Sequence, residues 1–396
     1  MMWLQDIRDR ALSSKAPTTS GRSNKMEKIL FEELVFVPAQ LSKRPVDYFR
    51  ERIETKTIIG KNSNRPLVLE TPIFFAAMSF GALSKEAKIA VAKASTVLGT
   101  ATNTGEGGML PEERKHARLL VAQYSTGRFG VDNVYLKSAD AIEIKIGQGA
   151  KPGQGGLLPG YKVTEDIAKV RKVQVGKPIH SPPYHPDIRT LNDLKNKVSW
   201  LRKASGGKPI IIKLGAGDPE DIKISVKANP DAIAIDGCCG GTGAAPDIML
   251  DDFGIPVLPA LVEARNIMDK MKSKQDLLIG GGFSKGADMA KALALGADAI
   301  FLGFPLMLAM GCEYCKECYK GQCPLGISTQ NPKLRKRFKM DKSVNAVVNY
   351  VKACTEEIKM AAAATGNNNV HDLKKQDLRA LNLDTSKILG VKAVGL

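Results

Sequence analysis

From about residue 70 onward the chain repeats one pattern: a short apolar run, a Gly-rich or polar loop, then a helical stretch. Eight runs read as strands, at 73–78, 100–103, 141–146, 210–214, 232–235, 256–259, 277–279 and 299–302. Helical stretches separate them, at 84–98, 164–175, 191–204, 219–228 and 285–295. Such alternation implies a parallel sheet covered by helices. Eight units predict an α/β fold closed into a (β/α)8 TIM barrel, with the active site in the loops after the strands. A doubly wound open sheet is the rival arrangement.

The chain has 396 residues, enough for a barrel of about 250 residues with extensions. Residues 1–68 read as a polar, basic N-terminal extension with a short strand at 34–37 and a helix near 46–53. Residues 69–335 form the barrel domain, and 336–396 a basic helical C-terminal tail. A long Gly- and Pro-rich insert follows the third run, at 147–160, and an irregular stretch spans 176–187. Long structured loops inside a compact domain usually carry function.

Apolar residues make up 43% and charged residues 25%, the composition of a soluble globular protein. No run of about 18 uncharged apolar residues predicts a membrane span. The start, Met1-Met2-Trp3-Leu4-Gln5-Asp6, lacks a secretory layout, so a cytoplasmic protein is expected. The net charge is +17. It fits a solvated basic surface or a docking face for an acidic electron carrier such as ferredoxin. No nucleic-acid-binding signature accompanies it, so nucleic acid is not expected as a partner.

The seven cysteines all lie beyond residue 237. A disulfide scaffold would spread them; clustering points to metal or redox use. Cys312-x2-Cys315-x2-Cys318-x4-Cys323-Pro324 is the sharpest local signal. Thiolates hold iron–sulfur clusters, and four can also hold zinc. Cys238-Cys239 read as packing against a cofactor, and Cys354 as core.

Gly280-Gly281-Gly282 and Gly303-Phe304 follow the last two strands, where barrels often hold a phosphate. They predict a phosphate-bearing cofactor. Asp236-Gly-Cys-Cys-Gly-Gly-Thr-Gly243 suggests a further close backbone approach to a ligand. Lys213 closes the run Ile210-Ile211-Ile212 and points into the barrel mouth or out to solvent. His180 and His185 flank a rigid loop, where they line the site or pack the loop.

Five stretches carry a family likeness: Met78-Ser-Phe-Gly-Ala-Leu-Ser84, Asn103-Thr-Gly-Glu-Gly-Gly108, Ile144-Lys-Ile-Gly-Gln-Gly-Ala-Lys-Pro-Gly153, Gly240-Gly-Thr-Gly243 and Cys323-Pro-Leu-Gly-Ile-Ser-Thr-Gln-Asn-Pro332. In order, over roughly residues 70–335, they resemble the FMN-binding synthase domain of glutamate synthase, in its archaeal-type stand-alone form. The resemblance implies reduction of 2-iminoglutarate, formed from 2-oxoglutarate and ammonia, to L-glutamate. Reduced FMN would supply the hydride, and a [3Fe–4S] cluster would pass electrons to it. The family spacing C-x5-C-x4-C selects Cys312, Cys318 and Cys323. Cys315 is an extra thiol and leaves a four-thiolate [4Fe–4S] cluster open.

By the same resemblance Glu106 and Lys213 are catalytic, Lys213 facing the flavin edge where negative charge gathers. Gln148, Lys151 and Arg171 match positions around the keto acid. Flavin contacts would come from Ala77, Met78, Ser79, Lys213, Gly240, Gly241, Gly281, Gly282, Gly303 and Phe304. The chain departs from the family at Gln154 (usually Glu), Leu157 (usually Gln) and Cys238-Cys239 (usually His-Asp). The changes at Gln154 and Leu157 open the alternative of another imine, as in N-methylglutamate synthase. An electron-transfer subunit of a larger complex is the reading from another class. No cysteine precedes residue 238, and no dinucleotide fingerprint is visible. A separate glutaminase subunit or free ammonia, and a protein electron donor such as ferredoxin or an NAD(P)H-oxidising subunit, are therefore expected.

Overall fold

The computed structural model describes residues 7, 8, 10–12, 16–23 and 31–396. Eight parallel strands run in the order β1 (Ile73–Phe75), β2 (Ala101–Asn103), β3 (Leu119–Tyr124), β4 (Ala141–Lys145), β5 (Ile210–Gly215), β6 (Ala232–Asp236), β7 (Asp276–Gly280) and β8 (Ala299–Leu302). β8 pairs with β1, and a parallel bridge between Ala77 and Asn103 brings the two remaining edges together. The sheet is thus a nearly closed barrel, not a doubly wound sheet.

One expected strand is lost and an unexpected one takes its place in the count. Leu119–Tyr124, an apolar run absent from the expected strands, is β3. Residues 256–259 instead open a helix, Val257–Lys270, behind Pro256. Pro259 sits in that helix's first turn, where a missing N–H costs nothing. The helix expected near 46–53 is a turn in which Asp47 accepts from the Phe49 N–H. The helix expected over 164–175 stops at Arg171, because Lys172 turns left-handed at φ 57°.

The helices that matter for the site are α1 (Lys85–Val97), α2 (Pro111–His116), α3 (Glu165–Arg171), α4 (Gly286–Ala294), α5 (Phe304–Ala309) and α6 (Met340–Ala364). Most of the outer ring follows the strands in sequence. The last place is filled differently: α6 packs between α4 and α1. Residues 310–339, with the cysteine loop, are looped out between α5 and this closing helix. No helix among the described residues is long and apolar enough to cross a membrane.

The strand period of two explains the barrel's interior. Phe74, Ala101, Val121, Ala141, Ile211, Ala234, Leu278 and Ala299 point inward and form one buried apolar cluster. Ile59, Leu67 and Leu69, from a hairpin of Thr57–Ile59 and Leu67–Leu69, join that cluster. Two residues further along each strand the inward positions change character. Asn103, Gln123, Glu143, Lys213 and Asp236 replace the apolar layer on five successive strands. The packed core ends there and a polar floor begins.

The N-terminal segment contributes to the same end of the barrel. Thr18–Gly21 pairs antiparallel with Thr242–Pro246 in the loop after β6. Leu34–Phe36, expected as a strand, pairs antiparallel with Leu378–Ala380, which ties the segment before the barrel to the one after it.

Candidate active site

Above the polar floor lies a cavity of about 740 Å³, within the size range of small-molecule and cofactor sites. The residues singled out in the sequence converge on it from separate loops. Ala77, Met78 and Ser79 line it after β1, and Glu106 after β2. Gln148, Lys151 and Arg171 come from the insert after β4, and Lys213 from β5 itself. Gly240 and Gly241 follow β6, Gly281 and Gly282 follow β7, and Gly303 and Phe304 follow β8. Cys312, Cys315, Cys318 and Cys323 line the same cavity.

In the floor, Glu143 accepts hydrogen bonds from Asn103 at 3.1 Å and Gln123 at 2.6 Å. The Lys213 ammonium lies 3.2 Å from Asp236 and 4.5 Å above the Phe301 ring. Burial alone would pull this lysine's pKa down. Asp236 and Glu143 outweigh burial and hold it above the usual lysine range. Lys213 is therefore a fixed cation at the cavity floor.

Glu106 occupies the cavity's most cationic corner. Its carboxylate lies 3.0 Å from Lys145, which also donates to Gln148 at 2.8 Å. Burial opposes ionisation of Glu106, but Lys145, Lys151 and Arg171 together bring its pKa to about 2. Ser181 lies 3.4 Å from the same carboxylate. Gly156 passes so close that a Cβ there would stand 2.1 Å from Oε1. Lys151 donates to the Ala244 carbonyl at 3.1 Å. Burial first, then Lys145, lower its pKa to about 8, against the pull of Glu106. Arg171 donates to the Phe80 carbonyl at 2.7 Å and to Ser79 Oγ at 3.2 Å, and burial lowers its pKa to about 10.

Lys145 and Ser181 are not conspicuous in the sequence. One signal could have found Lys145. It ends β4 as Lys213 nears the end of β5, and the two stand side by side in the ladder. Ser20 and Arg22, from the N-terminal extension, also line the cavity. His185 does not. Its Nε2 donates to the Lys145 carbonyl at 2.8 Å, its ring stacks on Tyr124, and burial and Arg128 push its pKa down to about 4. It packs the loop and fixes the strand end that carries Lys145.

A buried lysine holds the loops after β1 and β2 together. Lys88 of α1 donates to the carbonyls of Met78 at 2.5 Å, Asn103 at 3.1 Å and Thr104 at 3.2 Å. Its counter-charge is Glu113 of α2 at 2.6 Å, and both side chains are 1% exposed.

The backbone at Gly281, Gly282 and Gly303 fits a flavin phosphate. No described residue accepts a hydrogen bond from the N–H groups of Gly281, Gly282 or Gly303. Gly281 has φ 101°, and a Cβ there would stand 2.5 Å from the Gly237 carbonyl oxygen. Free N–H groups on a close backbone are what an anion requires. The thiols fit a cluster in donor chemistry. Burial raises the pKa of Cys312 and Cys318; Cys323 and Cys315 raise the first further, and Cys323 and Cys312 the second. A bound cation relieves such crowding. No group of three or more His, Cys, Asp or Glu among the described residues surrounds a single metal-ion position. Thiolates are the standard ligands of an iron–sulfur cluster, which spreads them over several irons.

Known proteins resemble this chain along nearly its whole length. A conserved region of glutamate synthase matches residues 10–368. An archaeal glutamate synthase [NADPH] of Archaeoglobus fulgidus is 38% identical, over 99% of this chain and 82% of that protein. A glutamate synthase large subunit-like protein of Rhizobium meliloti is 37% identical, over 99% of this chain and 93% of that protein. Among solved structures, the flavin-binding domain of baker's yeast flavocytochrome b2 superposes with TM-score 0.59 at 17% identity, covering 95% of this chain and 83% of that one. That likeness concerns the barrel fold. From the family match and the two relatives, the chain belongs to the glutamate synthase family of oxidoreductases.

Proposed function

We propose that this cavity binds FMN beside an iron–sulfur cluster and reduces 2-iminoglutarate, formed from 2-oxoglutarate and ammonia, to L-glutamate. The observation that carries the reading is the convergence of Lys145, Lys151 and Arg171 on Glu106 in a cavity that four cysteines also line. A dicarboxylate keto acid needs cations, and Lys151 and Arg171 supply them. Gly281, Gly282, Gly303 and Phe304 would hold the flavin phosphate, with Ala77, Met78, Ser79, Gly240 and Gly241 along the rest of the cofactor. Bound FMN, once reduced, supplies the hydride.

The protein's own groups divide the remaining work. Lys213, charged and fixed by Asp236, stabilises negative charge that gathers at the cavity floor. Glu106, with a pKa of about 2, stays ionised and accepts a hydrogen bond from an iminium N–H. It therefore organises the imine and does not serve as a proton donor. Lys151, with a pKa of about 8, can give up a proton near neutral pH. Cys312, Cys318 and Cys323 would hold a [3Fe–4S] cluster. Cys315, exposed at the surface, makes [4Fe–4S] the alternative and marks the side from which a protein electron donor, ferredoxin or an NAD(P)H-oxidising subunit, delivers electrons. Ammonia would come from solution or from a glutaminase subunit, and the chain would work in the cytoplasm.

One observation favours a second substrate. Of the departures at Gln154 and Leu157, only Leu157 lines the cavity. An apolar group there suits an N-alkyl imine, as in N-methylglutamate synthase. Anaerobic turnover of the cofactor-loaded protein with dithionite, 2-oxoglutarate and either ammonia or methylamine tests both readings. L-glutamate from ammonia supports the first. Product from methylamine alone supports the second, and no product from either refutes both.

A further inference from the structure

The turn Gly160–Lys162, in the insert between β4 and α3, lies on the cysteine loop. Two neighbouring side chains clamp that loop. Tyr161 donates its hydroxyl to the Tyr319 carbonyl, and Lys162 donates its ammonium to the Cys318 carbonyl. Gly321 lets them in: a Cβ there would stand 3.1 Å from Lys162 Cε. Lys162 is 5% exposed and lines the cavity.

Its charge sets it apart from its neighbours. A buried ammonium is costly unless an opposite charge compensates it. Lys213, Lys88 and Lys145 around this site each have a carboxylate within ion-pair distance, Asp236, Glu113 and Glu106, and the buried Lys151 and Arg171 feel the charge of Glu106. Among the described residues, no carboxylate lies within ion-pair distance of Lys162, and the opposing charges it feels are those of Cys318 and Cys323. Thiolates bound to a cluster leave negative charge at that position, and reduction of the cluster adds more.

We propose that Lys162 is the counter-charge of the iron–sulfur cluster, a positioning residue that raises the cluster's reduction potential and clasps its loop to the substrate-binding insert. The inference rests on the proposed cluster at Cys312, Cys318 and Cys323. A fixed positive charge stabilises the reduced, more negative cluster, so its removal lowers the potential. The same insert carries Gln148 and Lys151, and Arg171 ends the helix that follows it, which ties the cluster's loop physically to the keto-acid side of the cavity.

The test is an EPR-monitored redox titration, with iron analysis, of the wild-type protein, Lys162→Met and Lys162→Arg. The expected result is a lower midpoint potential in Lys162→Met at unchanged iron content, and a midpoint near wild type in Lys162→Arg. Loss of the cluster in Lys162→Met with retention in Lys162→Arg also supports the assignment, because charge alone separates the two variants. An unchanged midpoint in fully loaded Lys162→Met overturns it. So does failure of both variants to load. A wild-type protein with no iron signal would overturn the cluster assignment itself, and this inference with it.

Discussion

The ammonium of Lys145 lies 3.0 Å from the carboxylate of Glu106 and bridges it to Gln148. This contact joins the loop after β2 to the insert after β4 at the centre of the cavity. It also holds Glu106 ionised against the burial that would otherwise protonate it.

Replacement of Lys145 by Gln removes the largest charge acting on Glu106. A charge-assisted hydrogen bond contributes about 1.5–3 kcal/mol, so kcat/KM is expected to fall roughly 10- to 100-fold. The Glu106 pKa should climb from about 2. Activity that needs the carboxylate would then be lost as pH falls through the raised value. A new acid limb in the pH–rate profile of Lys145→Gln, absent from wild type, is the expected signature.

Lys151 sets the alkaline side. Its pKa of about 8 leaves it charged below that value and neutral above it. KM for the keto acid is expected to rise above pH 8, by up to about tenfold per unit once the cation is lost. Steady-state kinetics from mildly acidic to alkaline pH measures this. Lys151→Arg keeps its charge over the whole range, so the alkaline limb in KM should disappear, while kcat should fall because a guanidinium gives up no proton near neutrality.

The pair Lys88–Glu113 predicts a stability effect beneath the site. Both groups are buried, and burial pushes the carboxyl up and the ammonium down. Lys88→Met leaves Glu113 buried without its cation, at a cost of about 3–5 kcal/mol. Lys88→Met with Glu113→Leu should recover the part due to the unpaired carboxylate, but not the part due to the Met78, Asn103 and Thr104 carbonyls left without their donor. Urea unfolding of the two single variants and the double variant reads the coupling directly.

Asp276 gives a pH-dependent stability term at the other end of the barrel. It accepts from the Gly60 N–H at 2.6 Å. Burial, then Asp298 and Asp231, raise its pKa to about 6. A carboxyl raised above its unfolded value favours the fold when protonated, and that contribution is lost as pH rises through about 6. Ionised Asp276 therefore costs on the order of 2–3 kcal/mol near neutrality. Asp276→Asn keeps an acceptor for Gly60. Its Tm should exceed wild type above neutrality, with the difference vanishing near pH ~4.

The barrel was legible because parallel strands are buried on both faces and read as apolar runs such as Ile210-Ile211-Ile212. The same rule misplaced residues 256–259, since an apolar run behind a proline suits a helix start equally well, and it passed over Leu119–Tyr124. Lys213 was visible because a charge closing an apolar strand is conspicuous. Lys145, alternating with Ile144 and Ile146, looks like any solvent-facing residue until β4 and β5 are laid side by side. Lys88, Lys162 and Ser181 act through partners far away in sequence, which no local pattern reports. The same holds for Ser20, which lies 223 residues from the Gly243 carbonyl it donates to.

Reducing equivalents stored in this cavity should pass to an imine of 2-oxoglutarate, and a single anaerobic turnover decides whether they do. The cofactor-loaded protein is reduced to its end point, excess reductant is removed, and 2-oxoglutarate with ammonia is added while the flavin absorbance is followed. The oxidised flavin band is expected to return only when both reactants are present, with about one L-glutamate formed for each flavin reoxidised through the two-electron hydride step. A reduced flavin that stays bleached with both reactants present, or reoxidises without forming glutamate, would rule the proposed reaction out.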